Sequence, residues 1–203
     1  MSAQSLITQT RIEKDLIGIK EVPEDALYGI QTLRGIENFQ ISNFKLNQYP
    51  NFIKGLALTK KGAALANYRL GLLSDKLKTV IVKACDEIIE GKFHEHFPID
   101  MIQGGAGTTT NMNINEVISN RALEIMGHKR GEYQYCSPND HVNCSQSTND
   151  AYPTAVYIGL YLTHLEILKP YQKLIHSLRK KEEEFKDVIK VGRTQLQDAV
   201  PMS

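Results

Sequence analysis

Gln103-Gly104-Gly105-Ala106-Gly107-Thr108-Thr109-Thr110-Asn111-Met112-Asn113-Ile114-Asn115-Glu116 is the stretch on which the reading of this chain turns. Three glycines are followed by three threonines and then by asparagines at alternate positions. Glycine lets a backbone turn tightly and approach a ligand closely. Threonine hydroxyls and the free N–H groups of a helix start then gather at one place, which suits an anion. A helix is expected from about Thr109 to Met126, with Gly127 as its stop. Asn111, Asn115 and Asn120 are poor helix formers, so something other than propensity accounts for them. The stretch reads either as a site for a small carboxylate or as a glycine-rich turn capping a helix. A dinucleotide fingerprint lacks its third glycine here, and a phosphate-binding P-loop lacks its lysine.

Around this stretch the pattern is helical. Residues 51–70 carry apolar side chains at mixed spacings of three and four. Ser74 caps a second helix, with Leu77, Val80, Ile81, Ala84, Cys85, Ile88 and Ile89 on one face and Gly91 at its end. Residues 11–40 read as an irregular segment with short helices, one of them starting at Pro23-Glu24-Asp25 and soon interrupted by Gly29. After Asn149 or Asp150 a helix of ~35 residues follows, which Pro170 should kink or split. Its Arg179–Lys186 run reads as a solvated face, with Arg179–Glu183 and Glu182–Lys186 pairs at i, i+4. Apolar residues on much of that helix call for other long helices around it. The fold class is therefore mainly α.

Lys plus Arg number 24 and Asp plus Glu 23, a balance that gives no sign of a nucleic-acid or anionic-membrane partner. Cys85, Cys136 and Cys144 are odd in number and lack metal-ligand spacing, which favours reduced thiols and a cytoplasmic location. Met1–Thr10 has no signal-peptide pattern, and no apolar run approaches a membrane span. His94 and His96, two apart, do not share a face as a metal pair would. His141 reads as a loop histidine that is either satisfied locally or available to a ligand. The chain stops at Ser203 just after a Gly192-Arg193-Thr194-Gln195 loop, which reads as a fragment of a longer protein. No cofactor and no metal are expected.

Three loops share one chemistry: Gly107-Thr108-Thr109, Ser147-Thr148-Asn149 and Gly192-Arg193-Thr194-Gln195. Neutral hydroxyls and amides can satisfy a buried carboxylate or ammonium without adding charge.

These segments resemble the fumarase/aspartase superfamily of lyases. The resemblance extends over Glu21–Pro23, Tyr28–Arg34 and Glu37–Phe39, over Gly104–Glu116, over Pro138–Asn143 with Ser145–Asp150, and over Gly192–Pro201. Thr109-Thr110 departs from the family's usual Ser-Val. Gln195 stands where fumarases carry histidine, so the likeness is to the aspartate-deaminating branch, with a class II fumarase as the alternative and a non-catalytic helical assembly module as the other reading. The resemblance implies an N-terminal lyase domain over 1–140 and the start of a central long-helix bundle over 141–203. It also implies reversible deamination of L-aspartate to fumarate and ammonia through an enediolate-like intermediate. Thr108, Ser147 and Thr148 would hold the carboxylate on which charge develops; Asn149 and Thr194 would contact the amino group, with Gln195 close by. The family's catalytic base is a serine in a segment beyond Ser203, so no catalytic base is expected in this chain, and these residues alone are expected to be inactive. A homotetramer with sites shared between subunits is implied as well.

Overall fold

The computed structural model describes residues 9–203, and most of the Met1–Thr10 segment lies outside them. By internal contacts the chain divides into two units, Met1–Leu160 and Tyr161–Ser203.

The first unit opens with an antiparallel hairpin of β1 (Thr10–Lys14) and β2 (Ile19–Pro23), where short helices were expected. The reason is an inverted strand pattern. Arg11 and Glu13 face inward and Ile12 faces solvent. Arg11 donates to Glu13 and to the carbonyls of Pro23, Ala26 and Tyr28. Alternation of apolar residues, the usual strand signal, is therefore absent. Pro23 ends a strand rather than starting a helix, and Gly29 precedes a helix rather than interrupting one.

Helix α1 (Ile30–Asn38) follows, then α2 (Pro50–Arg69), α3 (Asp75–Ile89) and α4 (Thr108–Ile125). The last three fall within one or two residues of their expected limits, and Ser74 Oγ accepts from Leu77 N as a cap. A shared core gathers Ile53, Leu56 and Ala57 of α2, Ile81, Cys85 and Ile88 of α3, and Ile114, Val117 and Ile118 of α4. Ala155, from the first turns of α5 (Thr148–Phe185), joins them.

Gly55 and Gly159 set the approach of α2 to the start of α5. A Cβ on Gly55 would collide with the Ala155 carbonyl, and one on Gly159 would sit 2.9 Å from Phe52 Cα. Both obstacles are backbone and cannot rotate away. Gly55→Ala is expected to destabilise the protein by ~1–3 kcal/mol through overpacking. Urea unfolding at neutral pH measures it; an unchanged midpoint would show that the two helices can separate without loss.

In the second unit α5 continues through Pro170 without a break. Pro170 and Glu166, whose carbonyl loses its donor, are both exposed, so water can replace the missing hydrogen bond. The charged run is solvated, but its ion pairs are i, i+3: Lys181–Glu184 and Glu183–Lys186. The helix is followed by a second antiparallel hairpin, β3 (Lys190–Arg193) with β4 (Asp198–Met202). Leu165, Ile167, Leu168, Leu174, Leu178 and Phe185 of α5 are exposed. No helix among the described residues is long and apolar enough to cross a membrane.

Candidate active site

Helix α4 begins without a side-chain cap of its own. Its Ncap residue is Gly107, at φ 84, a left-handed conformation that glycine adopts without strain. A Cβ there would also run into the ring of Tyr152, from the first turns of α5. The missing side chain thus lets the starts of α4 and α5 meet. Gln103 reaches over to Thr110, accepting from its N–H at 2.9 Å and donating to its hydroxyl at 2.8 Å. Among the described residues, the Thr108 and Thr109 N–H groups carry no protein partner. Thr108 itself is exposed.

At the start of α5, Ser147 is the cap. Its hydroxyl accepts from Asn149 N at 3.2 Å, and its carbonyl accepts from Asp150 N and Ala151 N. Ser147 and Asn149 are exposed and Thr148 is half-buried. Two helix N-termini, each with the positive end of its dipole and with hydroxyls beside it, therefore open beside one another. An anion is the ligand such a place favours.

Behind Thr148 lies a buried network that the sequence patterns did not reveal. Lys60 of α2 is 1% exposed. Its ammonium donates to Asn111 Oδ1 at 2.7 Å, Gln146 Oε1 at 2.9 Å and Asn143 Oδ1 at 3.0 Å. Asn111 Nδ2 donates in turn to Asn143 Oδ1 and to Thr148 Oγ1, both at 3.1 Å. Asn115 Nδ2 donates to Asn143 Oδ1 at 3.2 Å. Gln146 and Asn143 also bond the backbone of their own loop, through Val142, Cys144 and Gln146 carbonyls. Burial lowers the Lys60 pKa to about 7. No carboxylate pairs with it among the described residues; neutral amide oxygens alone take its protons.

The asparagines of α4 thus have two tasks. Asn111 and Asn115 serve the Lys60 network. Asn113 and Asn120 tie loops to the core, Asn113 through His96 O and Asn120 through Leu27 O, Tyr133 Oη and Gly131 N. Sequence alone separated neither set, because both look like amides in a helix; a lysine in mid-helix likewise reads as solvated.

The histidines have local partners. His141, in a π-helical turn at Pro138–Val142, accepts from Ser137 N at Nδ1. His94 bonds the Ile88 carbonyl and His96 accepts from Leu27 N. Thr194 and Gln195 belong to the second unit, in the exposed turn between β3 and β4. There Thr194 N donates to Gln197 O at 2.9 Å and Gln195 faces solvent. Thr108, Ser147, Thr148 and Asn149 are together in the first unit.

A family model described as "Lyase" matches residues 18–203. This chain belongs to that lyase family. Aspartate ammonia-lyase of Helicobacter pylori strain J99 is 59% identical over 193 residues, 95% of this chain and 41% of that protein. Aspartate ammonia-lyase of Escherichia coli K12 is 52% identical over 194 residues, again 95% and 41%. Among solved structures, fumarate lyase:delta crystallin from Brucella melitensis in native form superposes with a TM-score of 0.88 at 53% identity, over 95% of this chain and 43% of that one. Class II fumarase from Schistosoma mansoni superposes at 0.82 with 40% identity. The lyase chain therefore spans about two fifths of the length of these relatives.

Proposed function

We propose that the protein carrying this chain is a lyase that reversibly deaminates L-aspartate to fumarate and ammonia. The identity of 59% over nearly the whole chain to an aspartate ammonia-lyase carries this reading. The juxtaposed starts of α4 and α5 fit it chemically. Removal of a proton beside the side-chain carboxylate puts a second negative charge on that carboxylate. Thr108, Ser147 and Thr148, with the free N–H groups of α4, stabilise it where it develops; this is electrostatic catalysis with no covalent step. Asn149 and Thr194 are assigned to the amino group, and Gln195 to orienting it, since an amide does not titrate. The base is assigned to a serine beyond Ser203.

Further assignments complete the reading. Residues 1–140 form the N-terminal lyase domain and 141–203 the start of the central bundle. The exposed apolar side chains of α5 are assigned to helices of other subunits in a homotetramer with shared sites, and the location is cytoplasmic. No nucleic acid or membrane takes part.

Two expected outcomes test this. The 203-residue chain alone, purified and assayed with L-aspartate, forms no fumarate; turnover above background would place a complete site within these residues. In the protein extended past Ser203 to the length of its relatives, L-aspartate is the substrate and L-malate is not, since Gln195 stands where fumarases have histidine. Malate turnover would favour the fumarase reading, to which the Schistosoma similarity also points.

A further inference from the structure

Lys60 is a buried cation to which the lyase chemistry assigns no task. We infer that Lys60 is a positioning residue that fixes the polarity of the Thr148 hydroxyl, so that Thr148 presents its proton, not a lone pair, to the substrate carboxylate. The inference rests on the lyase reading above.

An ammonium has three donors and no acceptor. Here all three are taken by amide oxygens, at 2.7, 2.9 and 3.0 Å. Because Asn111 turns its oxygen to Lys60, its nitrogen must face the other way, toward Asn143 Oδ1 and Thr148 Oγ1. Thr148 Oγ1 is thus already an acceptor. Its single proton is left to point outward, at the mouth formed by the starts of α4 and α5. Each donor in the series Lys60, Asn111, Thr148 strengthens the next, and the charge at its origin gives it one direction. Asn143 and Gln146, held by the same ammonium, fix the loop that leads into α5.

Protonation of Lys60 is therefore part of the device. A neutral amine would offer a lone pair, remove the reason for the Asn111 amide orientation and let Thr148 turn its proton inward. Burial pushes the Lys60 amine down, and the three amide oxygens on it favour the charged form. The titratable group facing Lys60 is Cys85 of α3, whose thiol burial pushes up and keeps protonated. From α4 and from the 143–146 loop only neutral amides face it. The charge is present below the Lys60 pKa and lost above it.

The test uses the protein extended past Ser203 to the length of its relatives, with fumarate formation from L-aspartate as readout and circular dichroism as a check on folding. Thr148→Ala is expected to lower kcat/KM about 10²–10³-fold, and Lys60→Met, which loses the charge but keeps the length, about 10–10²-fold through misplacement of that hydroxyl. The double substitution costs about what Thr148→Ala costs alone, because Lys60 acts through Thr148. Losses that multiply would overturn the inference. Asn111→Asp supplies a separate test and serves if Lys60→Met does not fold. A carboxylate keeps Lys60 satisfied but can only accept, so Thr148 turns its proton inward; the variant folds and loses activity as Thr148→Ala does. A folded Asn111→Asp with full activity would also overturn it. If the unsubstituted protein forms no fumarate from aspartate, the aspartate-deaminating reading fails by itself. Hydrogen exchange of residues 143–148 then decides for Lys60: faster exchange in Lys60→Met supports the held loop, and unchanged exchange contradicts it.

Discussion

Under the proposed deamination of L-aspartate, Thr148→Ala in the protein extended past Ser203 is expected to lower kcat/KM by about 10²–10³, the loss that follows when one donor aimed at a developing oxyanion is removed. The substitution is clean in structural terms. Thr148 is the first residue of α5 and half-buried, and its backbone N–H stays in place whatever the side chain. What is lost is one hydroxyl whose acceptor side is taken by Asn111 and whose donor side is free. Asn111 Nδ2 keeps its bond to Asn143, so stability falls by only about 0.5–1.5 kcal/mol, the net worth of one hydrogen bond. Steady-state kinetics beside a thermal melt separates the two effects. A melt shifted by about the worth of one hydrogen bond with kcat/KM lowered less than about threefold would remove Thr148 from the site, since the non-catalytic reading of these loops as caps predicts only a stability change of ~1 kcal/mol.

Glu116→Ala is expected to cost about 3–5 kcal/mol of stability, because it leaves several buried N–H groups without partners. Helix α1 has no capping side chain of its own. Its first N–H groups are collected instead by two buried glutamates from elsewhere in the fold. Glu116 accepts from Gly29 N and Gln31 N at 2.8 Å and from Thr32 N at 3.0 Å, and Glu13 accepts from Ile30 N at 2.9 Å. Gly29 has to be glycine, because a Cβ there would fall 2.7 Å from Glu13 Oε2 and 2.9 Å from Glu116 Cδ. Burial pushes the Glu116 carboxyl up to about 7, against the pull of those N–H donors and of Thr32. A raised carboxyl pKa means that the folded state holds this proton more tightly than the unfolded state. Its contribution to stability is complete below the ordinary value of 4.5 and is lost as pH rises through about 7. Urea unfolding of Glu116→Ala between pH 4 and 8 reads both the loss and the disappearance of that slope. A variant within about 0.5 kcal/mol of the parent would show that water replaces the carboxylate.

Where the sequence was legible, the reason was periodicity or capping chemistry. Helices α2, α3 and α4 follow from apolar spacing and from Ser74 and Gly127. The start of α5 follows from the hydroxyl and amide cluster before it, although the cap is Ser147 and not the expected Asn149 or Asp150. What escaped was decided by tertiary partners. The β1–β2 hairpin hides because its inward residues are Arg11 and Glu13, which only their burial partners make intelligible. Helix α1, a short helix in the 11–40 segment where such helices were expected, could not be placed there because its caps, Glu13 and Glu116, come from elsewhere in the fold. Pro170 does not interrupt α5 because solvent satisfies what a core could not. Lys60 was invisible for the same reason: its burial depends on amides from α4 and the 143–146 loop that sequence cannot bring together. The loops that carry Thr108, Ser147 and Thr148, by contrast, were legible as helix starts, since these announce themselves locally.

The reading of this chain as part of an aspartate-deaminating lyase is tested most directly by following fumarate through its ultraviolet absorbance, in the protein extended past Ser203, with L-aspartate in one cuvette and L-malate in another. Fumarate from aspartate and none from malate is the predicted result. Fumarate from malate and none from aspartate would contradict it, and with it the role assigned to Gln195.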